Sequence, residues 1–244
     1  MAFILLISDF QDGSYKTGLL KRELHSKLKD IEIIDISHQI KLNNTIEAAF
    51  VCKQIQFNDE HKNIILCKVG SHKEIIVYQQ LNNLYIFPNN GLLGMVIDNF
   101  SPQDVYLLPE KKEVTAIEYF LNGNLNTLEK AGSRLNINYN RSIVLQENLV
   151  VAECLYCDGN GNAYFNLTES QFVQMIKNKH FQIRIQHYTG HVFKTIGKSI
   201  NDVGPGEALF SFSKNGYLKL QINLGNAQRL FRIKEDSKVI IETA

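Results

Sequence analysis

With 244 residues, 44% of them hydrophobic, the chain is long enough for one large domain or two medium ones, each with its own core. Lysine plus arginine (26) and aspartate plus glutamate (25) nearly cancel to a net charge of +1, which excludes an overall field favouring nucleic acid or an acidic membrane. No apolar run approaches the roughly 18 residues of a membrane span, the first apolar stretch follows no basic residues, and a cytoplasmic protein acting on a small molecule or another protein is expected. Four cysteines are too few for a disulfide scaffold of this size and fit a reducing compartment.

In chain order, Phe3-Ile4-Leu5-Leu6-Ile7 is wholly apolar, which predicts a central strand buried on both faces with Asp9 at its carboxyl end. Ligands bind at strand carboxyl ends in open α/β sheets, and a carboxylate there can accept two hydrogen bonds from a ribose diol. Asp9 could equally cap the helix that follows. Gln11-Asp12-Gly13-Ser14 reads as a turn, and Leu20, Leu24 and Leu28 recur every four residues, as on an amphipathic helix. A second strand is expected from Ile31 to Ile36, ending in Asp35-Ile36-Ser37-His38. Asn44 and Thr45 can then cap a helix through Ile46, Ala49 and Phe50. Asn63 to Val69 predicts a third strand, and Glu74 to Tyr78 with Asn83 to Phe87 a hairpin. Pro88-Asn89-Asn90-Gly91 is a turn before the apolar Leu92 to Val96. Strands alternating with helices argue for a mainly parallel sheet covered on both faces.

The pattern changes near Asn138. Short alternating runs follow, predicting strands at Leu149 to Leu155, Ala163 to Leu167, Phe181 to Tyr188, Ala208 to Phe212, Tyr217 to Ile222 and Lys238 to Ile241. One helix is expected among them, started by the capping pattern Thr168-x-x-Gln171. The reading is therefore an α/β domain over residues 1–137 and a smaller, mostly β domain over residues 138–244.

Two turns carry polar groups suited to a ligand, Asn89-Asn90-Gly91 and Asp158-Gly159-Asn160-Gly161-Asn162, and each is also an ordinary turn sequence. Cys154-x-x-Cys157 has the spacing of a redox pair or half a zinc site, without a second pair or a nearby histidine to complete a metal site. His187 and His191 could share a helix face, but their stretch alternates like a strand. No phosphate-binding glycine loop or Gly-x-Ser-x-Gly elbow is found.

Taken in order, Ser8-Asp9-Phe10, Asp35-Ile36-Ser37-His38, Phe87-Pro88-Asn89-Asn90-Gly91-Leu92-Leu93, Asp158-x-x-Gly161-Asn162 and Asn215-Gly216-Tyr217-Leu218 resemble the S-adenosylmethionine (SAM) hydroxide adenosyltransferases. These SAM hydrolases are relatives of the SAM-dependent fluorinase and chlorinase. Pro205-Gly206-Glu207 and Asn223 are in keeping with the same pattern. The resemblance implies a barrel-like second domain and a homotrimer with sites between subunits. It also implies SAM as the substrate, with no further cofactor and no metal. By the same resemblance Asp9 would hold the ribose hydroxyls, Asp158 would face the methionine amino group and Asn162 would bond the adenine edge. Asn90 would lie beside the substrate, and Leu224 would present backbone to the adenine.

The family reaction is attack of water at the ribose 5′ carbon with methionine leaving, and the residues expected to handle that water are largely replaced here. Leu66 occupies the position of an aspartate, Lys73 that of an arginine, and no histidine occurs between His72 and His180. Asn160 replaces an aromatic residue, and Ser14 stands where a second N-terminal aspartate is usual. Two readings follow. In one the chain still cleaves SAM to adenosine and methionine, with Lys73 or His72 serving the water. In the other it is a nucleoside-binding or structural relative that has lost the chemistry. Halide transfer is a third and weaker idea, since halide-binding residues are not recognisable.

Overall fold

The computed structural model describes residues 2–57, 60–138, 143–176 and 179–243. The chain divides into two compact units, Met1–Asn140 and Arg141–Ala244.

The first unit is an α/β layer structure. Its elements are β1 (Ala2–Ser8), α1 (Tyr15–Lys27), β2 (Ile31–Ser37), α2 (Thr45–Lys53), β3 (Lys62–Lys68), β4 (Glu74–Gln80), β5 (Asn83–Pro88), α3 (Leu92–Val96), β6 (Val105–Pro109) and α4 (Glu113–Leu121). The six strands are ordered β2-β1-β3-β5-β4-β6, and only β4 runs against the rest. As expected, β1 is covered on both faces. Ile4 and Leu6 join Leu24 and Leu28 at the end of α1 and Ile117 and Phe120 of α4 in one core. Leu5 and Ile7 are buried on the opposite face, where the free thiols of Cys52 of α2 and Cys67 of β3 share a hydrogen bond. Each large apolar side chain buried in this way contributes about 1.5–3 kcal/mol before entropy is set against it.

Several local expectations hold for identifiable reasons. Asn44 caps α2, its Oδ1 accepting the N–H groups of Ile46 and Glu47 at 3.1 Å. Ser14, not Asp9, caps α1. β4 and β5 form the predicted antiparallel hairpin. β6 and α4 are additions that the sequence did not announce.

The second unit is mostly β. Its elements are β7 (Val144–Gln146), β8 (Leu149–Cys157), β9 (Ala163–Thr168), α5 (Glu169–Ile176), β10 (Phe181–Ile185), β11 (Val192–Phe193), β12 (Ala208–Phe212), β13 (Tyr217–Ile222), α6 (Ala227–Leu230) and β14 (Lys238–Thr243). The sheet runs β11-β10-β14-β8-β9-β13-β12, with β7 beside β8. Its two ends nearly meet. Gly197, just after β11, donates its N–H to Phe210 of β12 at 2.9 Å, and the rings of Phe193 and Phe210 lie 4.8 Å apart. The result is a nearly closed, barrel-like sheet around an apolar interior that includes Phe165, Phe210, Leu218 and Leu220. Thr168 and Gln171 make the reciprocal capping bonds at the start of α5. Two expectations are corrected: β10 stops at Ile185 instead of Tyr188, because His187 takes a positive φ of 67°, and α6 is a second helix in this unit.

Candidate functional site

In the first unit the chain leaves β1 through α1 toward one side of the sheet, to β2, and returns through α2 to the other side, to β3. The carboxyl ends of β1 and β3 are thus the point where the strand order reverses, the usual place for a ligand crevice in an open sheet. A cleft of ≈ 1160 Å³ opens there, lined by residues that include Asp9, Leu20, Asn43, Lys68, Gly70 and His72. It is ample for a nucleoside-sized ligand, since small-molecule pockets run to roughly 300–1,000 Å³.

Asp9 is the centre of this cleft. One carboxylate oxygen, Oδ2, accepts the backbone N–H of Asn43 and that of Gly70, both at 2.9 Å. Among the described residues the other oxygen has no hydrogen-bond partner, so it is available to a ligand hydroxyl. The helix-capping alternative does not occur. Gly70 holds a positive φ of 77°, and a Cβ there would lie 3.2 Å from the Asn90 amide nitrogen, so a side chain would be both strained and crowded.

Behind Asp9 the second motif braces the first. Ser8 Oγ accepts the N–H of Phe10 at 3.4 Å and shares a hydrogen bond with His38 Nδ1 at 2.7 Å, while His38 Nε2 lies 3.2 Å from Asp35 Oδ1, off the hydrogen-bond line. Lys21 bonds the other Asp35 oxygen at 2.8 Å. Burial acts to raise the Asp35 pKa, but Lys21 and His38 together outweigh it and hold the carboxyl below its ordinary value. Ser8 is fully buried, so the Ser8, His38 and Asp35 chain positions backbone and offers no accessible nucleophile.

Two cleft lysines are anchored by buried glutamates. Lys68 pairs with Glu113 at the start of α4, and Lys41 pairs with Glu47 of α2 at 2.9 Å. Glu47 and Glu113 are 3% and 6% exposed, so each lysine compensates a carboxylate that would otherwise be charged and buried.

The predicted residues separate into two groups. Asn90 reaches the Asp9 region through its neighbours, its Nδ2 donating to Val69 O at 2.9 Å and its Oδ1 accepting the N–H of Leu92 at 3.3 Å. His72 lines the cleft, half-buried, with Nδ1 3.3 Å from the N–H of Glu74. Lys73 is exposed, and among the described residues its side chain makes no hydrogen bond or ion pair. Leu66, the position of the missing aspartate, is fully buried in the apolar core of the sheet.

Asp158, Asn162 and Leu224 belong to the second unit and lie close together there. Asp158 Oδ1 accepts the N–H groups of Asn160 and Asn162, and Oδ2 accepts Asn162 Nδ2 at 2.9 Å and the Tyr164 hydroxyl at 3.1 Å. The turn is therefore a hairpin turn whose carboxylate is fully occupied, and among the described residues the Asn162 side-chain oxygen has no hydrogen-bond partner. Burial, then the Asp158 charge and hydrogen bond, push the Tyr164 phenol well above its usual pKa. Gly161, at φ 79°, lies against the Asn226 side chain that caps α6, and Gln228 donates its N–H to Gly161 O at 2.8 Å. That contact brings the turn beside the loop carrying Leu224, which is 89% exposed with φ 54°. Asn223 in the same loop bonds backbone to Gly206 and Glu207, joining the last two matching segments.

Residues 4–127 match the family model of the SAM hydroxide adenosyltransferase N-terminal domain, and residues 152–240 match that of the C-terminal domain. The chain belongs to the SAM hydroxide adenosyltransferase family. Asp9 lies within the residues matched by the N-terminal model, and Asp158, Asn162 and Leu224 within those matched by the C-terminal model. A comparison with curated proteins returns no match. Two solved structures share the fold over almost the whole length. An uncharacterized conserved protein from Thermotoga maritima is 21% identical with a TM-score of 0.80 over 99% of each chain. A conserved hypothetical protein from Thermus thermophilus is 18% identical with a TM-score of 0.74 over 100% of each chain. At such identities the likeness speaks to fold alone.

Sequence reasoning missed Asn43, Gly70, Lys68 and Glu113. Lys68 was the detectable one, a cation ending the apolar run Ile64-Ile65-Leu66-Cys67. Among the described residues no group of three or more His, Cys, Asp or Glu is placed to hold a metal, and no helix is long and apolar enough to cross a membrane.

Proposed function

We propose that this member of the SAM hydroxide adenosyltransferase family binds SAM and hydrolyses it to adenosine and methionine. The observation that carries the reading is Asp9, whose Oδ2 is saturated by two backbone N–H groups while its second oxygen remains open in the cleft. That oxygen accepts the ribose hydroxyls and fixes the sugar. Asn90 steadies the adjoining turn. Asn162 and the backbone at Leu224 take the adenine edge, and an ammonium on the methionine displaces the Tyr164 hydroxyl at Asp158.

Water attacks the 5′ carbon as the carbon–sulfur bond breaks, the sulfonium leaves as the neutral thioether of methionine, and the water proton passes to a base. His72 is the base in this reading, because it lines the cleft, and Lys73, its neighbour in sequence, is the charge taken to favour the developing hydroxide. A sulfonium is a good leaving group, so positioning of the water dominates the chemistry. The reading includes a homotrimer in which one subunit's N-terminal domain meets the next subunit's C-terminal domain, and a cytoplasmic location.

A second reading has its own observation. Leu66 is a fully buried core residue, so the position where the resemblance expects an aspartate brings no carboxylate to the cleft to hold a water. On that reading the chain binds a nucleoside without cleaving SAM.

Incubation of the purified protein with SAM, following adenosine and methionine by chromatography alongside calorimetry with SAM and adenosine, separates the two. Equal amounts of both products support hydrolysis. Adenosine binding without products supports the second reading, and no binding of either compound overturns the site. Light scattering tests the trimer, which a monomer mass would refute.

A further inference from the structure

Partway along β8 the side chains change face. Val150, Ala152 and Cys154 point into the core of the second unit, and a regular strand would continue with Tyr156 inward and Cys157 outward. The pairing with β9 slips instead: Cys154 lies opposite Phe165 and Cys157 opposite Ala163, so three steps on β8 match two on β9. The extra residue is a β-bulge, and it turns Cys157 back to the side of Cys154, where it packs against the same core. The two sulfurs are 3.9 Å apart and not joined in a disulfide. Cys154 is buried, while Cys157 is partly accessible.

We propose that Cys154 and Cys157 form a reversible dithiol–disulfide couple whose oxidising partner is a small-molecule disulfide of the glutathione class. Cys157, the accessible thiol, loses its proton and attacks one sulfur of the small disulfide. The sulfur–sulfur bond of that molecule breaks, one thiolate departs and takes up a proton, and a mixed disulfide remains on Cys157. Cys154 then attacks the Cys157 sulfur and expels the second small thiol. Two protein thiols and one small disulfide become one protein disulfide and two small thiols, with two electrons passing to the small molecule. The protein sulfurs must close from 3.9 Å to about 2.05 Å, and because their partners on β9 are two residues apart their Cα atoms are about 6.7 Å apart, at the upper end of the range a disulfide spans.

A disulfide needs only these two groups, whereas a metal would need further ligands that the described residues do not provide. The couple is independent of the reaction proposed above. It precedes Asp158 directly, so the ring it closes ends at the last residue of β8, one residue before the hairpin turn.

The test treats the reduced full chain with oxidised glutathione, quenches it in acid, labels the remaining thiols with a maleimide under denaturing conditions, and maps the peptides by mass. The expected product is a peptide carrying Cys154 and Cys157 that is unlabelled and lighter by two hydrogens, with Cys52 and Cys67 fully labelled, and dithiothreitol restores labelling at both sites. Cys154→Ser should instead accumulate the glutathione adduct on Cys157. Maleimide on both Cys154 and Cys157 after oxidation, or a lasting glutathione adduct on Cys157 in the unaltered chain, would overturn the proposal, and the unaltered chain decides even where the variant does not fold.

Discussion

The carboxylate of Asp9 and the backbone N–H of Gly70 meet at 2.9 Å across 61 residues of sequence, and the same oxygen holds Asn43. One oxygen of one side chain thus ties together the loops that follow β1, β2 and β3. In Asp9→Asn the amide oxygen can still accept both N–H groups, so the fold should survive while the ligand meets an amide where it had met a charged acceptor. Adenosine or SAM affinity is expected to fall about tenfold or more, which is about 1.4 kcal/mol, with little change in Tm. Unchanged affinity by calorimetry would remove Asp9 from the site.

Gly70→Ala tests the same junction from the other partner. An alanine at positive φ costs about 1–2 kcal/mol, and the new Cβ would crowd Asn90. A Tm lowered by about 2–8 °C is expected in thermal unfolding. A variant as stable as the parent would show that this loop has no need of the left-handed conformation.

The Lys68 and Glu113 pair is largely removed from water. Glu113→Ala leaves an ammonium without its partner and is expected to destabilise by about 3–5 kcal/mol, while the combined Lys68→Met, Glu113→Leu variant should recover most of that loss. Denaturant unfolding of the two variants measures this. Equal destabilisation in both would mean that the pair matters for packing and not for charge.

Asp35 gives a pH signature. Its carboxyl is held below 3.8 in the folded protein despite burial, because Lys21 and His38 face it. The ionised form is therefore favoured more by the native than by the unfolded chain. Its contribution to stability is complete above about pH 4 and is lost as pH falls through the lower native value. The stability gap between the parent and Asp35→Asn should narrow on acidification below pH 4. A gap that stays constant through that range would contradict the assigned contacts.

What could be read from the sequence was local. Asp9 ending an apolar run, Leu24 and Leu28 at helical spacing, and Asn44 before α2 each carry their signal within a few residues, and each behaves as expected. α4 was missed because Lys112 stands at its N-cap without any side-chain capping bond, so no start signal exists. β11 is only two residues long, too short for alternation to show. The partnership of Lys68 with Glu113 spans 45 residues and depends on where β3 and α4 come to lie, which no local pattern encodes. Asp158 reads in sequence either as a group offered to a ligand or as part of an ordinary hairpin turn. Only the fold reveals that Asn160, Asn162 and Tyr164 have already occupied it.

The double hold of Asp9 Oδ2 also makes the protein carry its own reporters. The amide protons of Asn43 and Gly70 sit on the oxygen next to the one a ligand would use, so occupancy of the cleft should be written in their chemical shifts and in slower exchange with solvent, without any label. Two backbone resonances from distant parts of the chain, moving together on titration, would be the spectroscopic mark of a filled crevice.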